Sequence, residues 1–123
     1  MSKSQGELRV ARIYDDPSAA DGRRILVDRL WPRGVSKEKA KLDDWCKEVS
    51  PSDDLRRWYG HEPERFEEFS TRYRAELKQG ERAEALSRIA AEARTGTVTL
   101  LTATKEPDLS QAAVLKSVID DER

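Results

Sequence analysis

Apolar runs rich in β-branched residues mark three stretches of the chain as strands. The first is Leu8 to Tyr14 (LRVARIY) and the last is Thr97 to Ala103 (TVTLLTA), because Val, Ile, Thr and Tyr favour a pleated surface. In the second, Arg24 to Leu30, the residues Ile25-Leu26-Val27 are continuously apolar. A run of this kind is typical of a strand covered on both faces. Residues 42–49 (LDDWCKEV) fit either a short strand or a helical turn.

Apolar positions three and four residues apart predict helices between these strands. The first helix is capped by Ser50, has Pro51 at its first position and stops at Gly60. The second begins at Pro63 and ends at Gly80. Both segments therefore carry ordinary signals for the start and the end of a helix.

Two further helices flank the last predicted strand. The third helix ends near Gly96, and the fourth is capped by Asp108 or Ser110. Each of the four helices has an apolar stripe that can pack on a neighbouring element, formed by Leu55, Trp58 and Tyr59; by Phe66, Phe69, Tyr73 and Leu77; by Leu86, Ile89, Ala90 and Ala93; and by Val114, Leu115, Val118 and Ile119.

The order of these elements predicts the fold class. Early strands, intervening helices and a closing strand and helix indicate an α/β fold, with a small, mostly parallel sheet flanked by about four helices. Residues 1–123 are expected to form a single domain, with residues 1–7 as a loose N-terminal tail. Ligands of such sheets bind beyond the carboxyl ends of the strands, so the loops after the strands are the expected place for chemistry.

Composition supports a soluble globular domain. The chain has 123 residues, of which 37% are hydrophobic and 38% charged. Its longest apolar runs are far shorter than a bilayer span, and the start MSKSQGELRV lacks the apolar core of a signal peptide. A single cysteine, Cys46, agrees with a reducing compartment. We therefore expect a cytoplasmic protein with no membrane partner.

Charge is unevenly distributed along the chain. The net charge is −1, but the segment 23–41 carries +5 and the rest −6. A basic segment on an acidic protein indicates one anion-facing surface rather than general affinity for nucleic acid. The alternative is a solvated loop whose charges only maintain solubility. The basic residues of the segment are Arg23, Arg24, Arg29, Arg33, Lys37, Lys39 and Lys41.

The stretch VDRLWPRGVSK holds the strongest candidates for a functional site. Asp28 directly follows an apolar strand, so partial burial could perturb its pKa and suit it to acid–base catalysis. Arg29 and Arg33 can bind a phosphate or carboxylate with two hydrogen bonds each, and Trp31 could cover the ligand. The structural alternatives are a salt bridge or loop cap for Asp28 and a core position for Trp31.

Two other candidates follow the remaining strands. Tyr14 ends the first strand and Lys105 follows the last, so both would share an edge with Asp28 if the strands are parallel. His61 is expected to be a capping or surface residue, and Cys46 a buried, inert thiol. One histidine and one cysteine argue against a Cys/His zinc site, and no phosphate-loop, dinucleotide or hydrolase motif is present. We expect no cofactor and no metal.

The chain resembles the YeaO-like family of small bacterial proteins of unknown function. The most specific motif is Leu26-Val27-Asp28-Arg29-Leu30-Trp31-Pro32-Arg33-Gly34, and further matches extend from Arg12-Ile13-Tyr14-Asp15 to the last helix. The resemblance implies a cytosolic α/β domain with residues 28–34 as its central feature. Before Ala112 the family often has Asn-His, where this chain has Ser110-Gln111.

These observations lead to two functional hypotheses. The first is a binder of, or an enzyme acting on, a phosphorylated or nucleic-acid-derived anion. In it Tyr14, Arg29, Trp31, Arg33 and Lys105 contact the ligand and Asp28 is the catalytic acid–base group. The second is a non-catalytic interaction module that uses the basic segment 23–41. We expect a small anionic ligand, with nucleic acid a less favoured partner, and make no prediction of the oligomeric state. A helix-turn-helix regulator fits poorly, because the helices lack a basic recognition face.

Overall fold

The computed structural model describes residues 6–122, and its centre is a parallel β-sheet. Four strands form this sheet in the described range, in the order β1-β4-β2-β3, and every pairing is parallel. The strands are β1 (Leu8–Arg12), β2 (Arg23–Leu26), β3 (Asp44–Trp45) and β4 (Val98–Thr102). The predicted α/β fold with a parallel sheet is confirmed.

Helices connect the parallel strands. Over the same residues they are α1 (Lys37–Ala40), α2 (Asp53–Tyr59), α3 (Phe66–Glu76), α4 (Gly80–Thr95) and α5 (Gln111–Glu122). Short 3-10 turns precede or join them at Ala19–Asp21, Lys47–Val49, Pro63–Arg65 and Pro107–Leu109. None of the helices described combines the length and the apolar composition that a bilayer span requires.

Both faces of the sheet are covered, as the continuous apolar run in β2 predicts. Ile25 pairs with Leu100 and packs into a large cluster with side chains from α2, α3, α4 and α5. The next pair, Leu26 and Leu101, points to the opposite face, into a smaller cluster with Ala40 of α1. All five side chains are fully buried. Successive strand residues alternate between the two faces, which is why an uninterrupted apolar run is needed here.

The strands end earlier than the sequence predicts, because a backbone turn follows β1 and a carboxylate accepts the next hydrogen bond after β4. After β1, Ile13 still donates to Thr102 at 2.9 Å, and the chain then turns, with the backbone N–H of Asp15 donating to the carbonyl oxygen of Arg12 at 3.1 Å. After β2, Val27 still donates to Leu101 at 3.0 Å. The next N–H along the chain after β4, that of Ala103, donates to the carboxylate of Asp28 instead of a backbone carbonyl. The regular pairing ends there.

Two helix boundaries predicted from the sequence are wrong. Ser52, not Ser50, caps α2, because its Oγ accepts the N–H of Leu55 while its own hydroxyl donates to Glu76 at 2.6 Å. Gly80 does not end α3; it begins α4 in a left-handed conformation with φ of 60°. The stop at Gly60 is confirmed, with φ of 53° after the last residue of α2.

The start of the described chain is attached to the fold. The N–H of Gly6 donates to Ala93 of α4, and the carbonyl oxygen of Glu7 accepts from Val98 of β4, both at 2.9 Å. A Cβ on Gly6 would lie 1.9 Å from the carbonyl group of Gly96, so the close approach requires glycine. The other residues of the predicted tail, 1–5, lie outside the described residues.

Candidate functional site

The carboxyl ends of β1, β2 and β4 lie side by side at one edge of the sheet, since all three strands are parallel. The loops that follow them carry Tyr14, Asp28 and Lys105. A cavity of about 330 Å³ opens at this edge, between the loop after β2, helix α2 and the start of α5. We call it the Asp28 cavity. This position is the usual one for ligands of open α/β sheets.

Asp28 joins three elements at the floor of the cavity. Its Oδ1 accepts from the hydroxyl of Thr102 at 2.8 Å and from Nε2 of Gln111 at 2.5 Å, and its Oδ2 accepts the backbone N–H of Ala103 at 2.8 Å. Burial raises the pKa of Asp28 above the ordinary range, although these three hydrogen bonds act in the opposite direction. Of the roles considered for Asp28, the geometry matches a loop cap: the carboxylate fixes the end of β4 and the start of α5.

Two arginines line the cavity beside Asp28. Nε of Arg29 lies 3.3 Å from Oδ1 of Asp53, and Nη2 of Arg56 lies 3.1 Å from the same oxygen. One carboxylate thus holds two guanidinium groups that come from the loop after β2 and from helix α2. Both arginines are more than one-third exposed, so a ligand could reach them from the solvent.

A second cavity of about 410 Å³ continues the first. The two share Tyr59, His61, Ala103, Thr104 and Leu109 in their walls, so they form two lobes of one recess. Lys105 and Glu106 line the second lobe. His61 lies at the junction and has a left-handed backbone with φ of 59°. The recess is therefore lined by cationic or titratable nitrogen groups from four places in the chain: Arg29, Arg56, His61 and Lys105.

Trp31 lies partly in the cavity wall and partly in the core. Its indole N–H donates to the carbonyl oxygen of Val35 at 2.7 Å, and its ring packs edge-on against Trp45 at a centroid distance of 5.3 Å. The indole N–H of Trp45 in turn donates to the carbonyl oxygen of Asp28 at 2.7 Å. The half-buried Trp31 thus stabilises the loop while it exposes one part to the recess.

Arg33 and Tyr14 are placed apart from the other candidates. The hydroxyl of Tyr14 donates to the backbone carbonyl oxygen of Arg33 at 3.1 Å. Tyr14 lines a different cavity, of about 400 Å³, together with Lys39 and Lys41. Among the residues that the structure describes, neither Arg33 nor Tyr14 belongs to the wall of the two-lobed recess. The structure brings Asp28, Arg29, Trp31 and Lys105 together there.

Two arginines of the basic segment 23–41 form ion pairs with other parts of the protein. Arg24 is buried, donates to Asp21 at 2.6 Å, and also donates to the carbonyl oxygen of Ala40 through Nε and Nη2. Arg23 forms an ion pair with Glu92 of α4. These two arginines hold β2 to its neighbours, and the other exposed basic residues of the segment are Arg29, Arg33 and the three lysines.

Ser110 and Gln111 take structural contacts at the start of α5. The hydroxyl of Ser110 donates to Pro107 at 2.6 Å and accepts the N–H of Ala112, which identifies Ser110 as the cap of the two that the sequence predicts. The carboxamide of Gln111 donates to Asp28. A carboxamide is neither protonated nor deprotonated near neutral pH, so Gln111 can orient the carboxylate but cannot serve as its acid–base partner.

Other chemistry near the site is limited. No group of three or more His, Cys, Asp or Glu side chains that could hold a metal ion occurs between residues 6 and 122. Cys46 is buried, and burial raises the pKa of its thiol to about 11, so the reactive thiolate is scarce at neutral pH.

Sequence reasoning missed Arg56 and His61. Arg56 follows Asp53 by three residues, a spacing that indicates an ion pair on the surface of a helix. Nothing local shows that Arg29 joins the same pair, because Arg29 belongs to another loop. His61 directly follows Gly60, the glycine that the sequence predicts as the end of a helix. Gly60 was the one local indication of an unusual turn at His61.

Comparisons with known proteins agree on one family. A family described as "Inactive DUF488-N3 subclade" matches residues 7–123. The chain is 43% identical over 113 residues to the uncharacterised protein Rv3073c of Mycobacterium tuberculosis, covering 92% of this chain and 93% of that protein. It is 41% identical over 108 residues to the uncharacterised protein YeaO of Escherichia coli, covering 88% and 92%. No solved structure matches significantly. The chain therefore belongs to the inactive DUF488-N3 subclade and to the YeaO-like bacterial proteins of unknown function.

Proposed function

We propose that the protein is a non-catalytic binder of a small phosphate-bearing anion, which occupies the two-lobed recess. The observation that carries this proposal is the convergence of Arg29, Arg56, His61 and Lys105 on one recess at the carboxyl edge of the sheet. Volumes of about 330 and 410 Å³ for its two lobes suit a small molecule.

The charge around the first lobe supports an anionic ligand. Arg29 and Arg56 share a single carboxylate, Asp53, so one positive charge is left over from this group of three. Guanidinium groups present several N–H donors in a planar fork, and the donors not used by Asp53 can bind phosphate oxygens.

The environment of Asp28 supports binding rather than catalysis. Three donors already occupy its carboxylate, and the one that comes from α5 belongs to a carboxamide, which cannot relay a proton. A raised pKa alone does not make a catalyst, because acid–base catalysis also requires an oxygen positioned toward the reacting group, and both oxygens of Asp28 already accept hydrogen bonds. Membership in a subclade described as inactive agrees with this choice between the binder and the enzyme.

The alternative, an interaction module built on segment 23–41, has weaker support. Arg23 and Arg24 are engaged with Glu92 and Asp21, so the segment presents less free positive charge than its composition indicates. We also propose a cytoplasmic location, which the free thiol of Cys46 supports.

A pair of neighbouring arginines provides the test. Arg56 lines the recess and pairs with Asp53, whereas Arg57 pairs with Asp54 at the same helical spacing. We expect ribose 5-phosphate to raise the melting temperature of the wild type by several degrees, since ligand at 100 times Kd stabilises by about 2.7 kcal/mol. Arg56→Ala should abolish most of this shift, because a lost charged hydrogen bond costs about 1.5–3 kcal/mol.

Arg57→Ala is the matched control and should respond to the ligand like the wild type. Isothermal titration calorimetry on the same three proteins would measure the affinity directly. A wild type that binds no phosphate-bearing compound, or an equal loss in both variants, would contradict the proposed function.

A further inference from the structure

The recess combines a cationic lobe with a lobe of different character. Arg29 and Arg56 line only the lobe beside Asp28, Lys105 and Glu106 line only the second lobe, and the walls of both lobes include Tyr59 and Leu109. A ligand that fills both lobes needs an anionic group at one end. At the other end it needs a body that can contact apolar and aromatic surface.

Aromatic rings lead from the core to the junction of the two lobes. Phe69 stacks on Tyr73 at a centroid distance of 5.7 Å, and Tyr59 stacks on Phe69 at 4.3 Å with an interplanar angle of 17°. The imidazole of His61 follows, with its centroid 6.3 Å from that of Tyr59 and a tilt of 47°. Tyr73, Phe69 and Tyr59 are buried, but His61 is exposed. The row thus ends in a ring that is accessible to a ligand.

The backbone holds His61 in this position. Gly60 and His61 are both left-handed, with φ of 53° and 59°. Glycine adopts this conformation freely, whereas a residue with a Cβ, histidine included, does so at some cost in stability. Such local strain is frequent at binding sites, where the surrounding structure maintains it. The consequence here is that the turn after α2 brings an imidazole to the wall of both lobes.

We infer that the ligand is a phosphomonoester that carries a planar ring system, as a nucleoside monophosphate does, and that His61 stacks on the ring while Arg29 and Arg56 bind the phosphate. This inference rests on the proposed function and adds the chemical class of the ligand to it. Every nucleobase has a π-face, and stacking on an aromatic side chain tolerates differences in base sequence. The inferred specificity is therefore for a ring with a phosphate and not for one particular base.

Four probes separate the contributions of ring and phosphate. Calorimetric titration of the wild-type protein with adenosine 5′-monophosphate, ribose 5-phosphate, inorganic phosphate and adenosine would give their relative affinities. We expect the nucleotide to bind at least ten-fold more tightly than ribose 5-phosphate. Adenosine, which lacks the anion, should bind at least ten-fold more weakly than the nucleotide.

Two substitutions test His61 itself. His61→Asn removes the ring but tolerates the left-handed backbone well, whereas His61→Phe keeps a ring that can stack. The ten-fold preference for the nucleotide over ribose 5-phosphate should fall to less than three-fold in the asparagine variant. It should persist in the phenylalanine variant. Circular dichroism melts would verify that both variants are folded before titration.

The possible failures are distinguishable. Ribose 5-phosphate that binds within three-fold of the nucleotide, with Arg56-dependent affinity, overturns the inference about the ring and leaves the proposed function standing. A His61→Asn variant that keeps the full preference overturns the assignment of His61. Absence of any Arg56-dependent phosphomonoester binding overturns both proposals together.

One further probe distinguishes a free mononucleotide from the 5′-phosphorylated end of a nucleic-acid strand as the ligand. A short 5′-phosphorylated oligonucleotide presents the same terminal group as a free nucleotide. Tighter binding of the oligonucleotide would assign the end of a strand as the ligand, and weaker binding would assign a free mononucleotide. Either result upholds the combination of ring and phosphate.

Discussion

Oδ1 of Asp28 accepts a hydrogen bond of 2.5 Å from Nε2 of Gln111, which ties the end of β2 to the first residue of α5. The hydroxyl of Thr102 and the backbone N–H of Ala103 also donate to Asp28. Its carboxylate is therefore the shared acceptor of three hydrogen bonds at this edge of the sheet. The same carboxylate also faces the recess, which Arg29 and Arg56 line as well. Both consequences can be tested by substitution.

The first prediction concerns the hydrogen bonds of Asp28. Asp28→Ala leaves a backbone N–H, a hydroxyl and a carboxamide without their acceptor. Because unsatisfied buried polar groups cost about 1–3 kcal/mol each, we expect a decrease of at least about 2 kcal/mol in the free energy of unfolding. Urea denaturation would measure it. A decrease below about 0.5 kcal/mol, typical of surface sites, would show that water replaces the carboxylate easily.

The first prediction extends to the pH dependence of stability that Asp28 causes, which has a defined sign. Burial raises the pKa of the folded state above that of the unfolded chain, so the folded protein holds the proton more tightly. The contribution of this group to stability is therefore fully present in acid and is lost as pH rises from about 4 through the folded pKa. Asp28→Asn cannot titrate. Relative to the wild type, this variant should become more stable between pH 4 and pH 7, as urea melts at several pH values would show.

The second prediction concerns Asp53, which lies between Arg29 and Arg56. Asp53→Asn removes a negative charge beside the proposed phosphate position. A unit charge about 4 Å away contributes about 1 kcal/mol in water, so phosphate-bearing compounds should bind roughly five-fold more tightly. The control is Asp54→Asn, since Asp54 is almost fully exposed and pairs with Arg57. Weaker binding to Asp53→Asn would instead indicate that Asp53 pre-positions the arginines.

The third prediction contrasts two arginines of the basic segment. Arg24→Ala leaves the buried carboxylate of Asp21 without its closest partner. Breaking a buried ion pair in this way costs about 3–5 kcal/mol. Arg33→Ala alters an exposed side chain and should change the free energy of unfolding by less than about 0.5 kcal/mol. Chemical denaturation of the two variants would compare them, and a large loss for Arg33→Ala would reveal an undetected structural role.

The fourth prediction concerns Phe69, a fully buried ring between Tyr59 and Tyr73. Phe69→Ala should decrease the free energy of unfolding by about 3–5 kcal/mol, because it removes buried apolar surface and leaves a cavity. Phe69→Leu retains most of the volume and is the matched control, with a smaller decrease. A loss below about 1 kcal/mol for the alanine variant would mean that the neighbouring rings collapse into the space.

The fifth prediction concerns the thiol of Cys46. Burial raises its pKa to about 11, so little thiolate exists at neutral pH, and the buried sulfur is poorly accessible. Iodoacetamide should therefore modify the folded protein at least about 100-fold more slowly than the urea-unfolded protein at pH 7.5, given the fall in thiolate fraction. Mass spectrometry of timed samples would follow the reaction. Rates that agree within ten-fold would indicate frequent opening around β3.

The sequence by itself determined the parallel sheet and the longer helices. Ile25-Leu26-Val27 is continuously apolar because successive residues face two different clusters, and this requirement is visible in the local pattern. The stripe from Phe66 to Leu77 likewise reports a helix with one buried face. The four-residue helix α1 was not predicted, since a single turn has no apolar period to detect.

Side-chain partners were decided by the tertiary structure. Asp28 bonds with Gln111, 83 residues away, and with Ala103, 75 residues away, and its position after β2 indicates neither partner. Ser52 rather than Ser50 caps α2 because Glu76 approaches it from another helix. Arg56 and His61 reach the recess from segments with no chemical motif. A periodic pattern records which face of an element is buried, but the packing of distant elements selects the partners of each polar group.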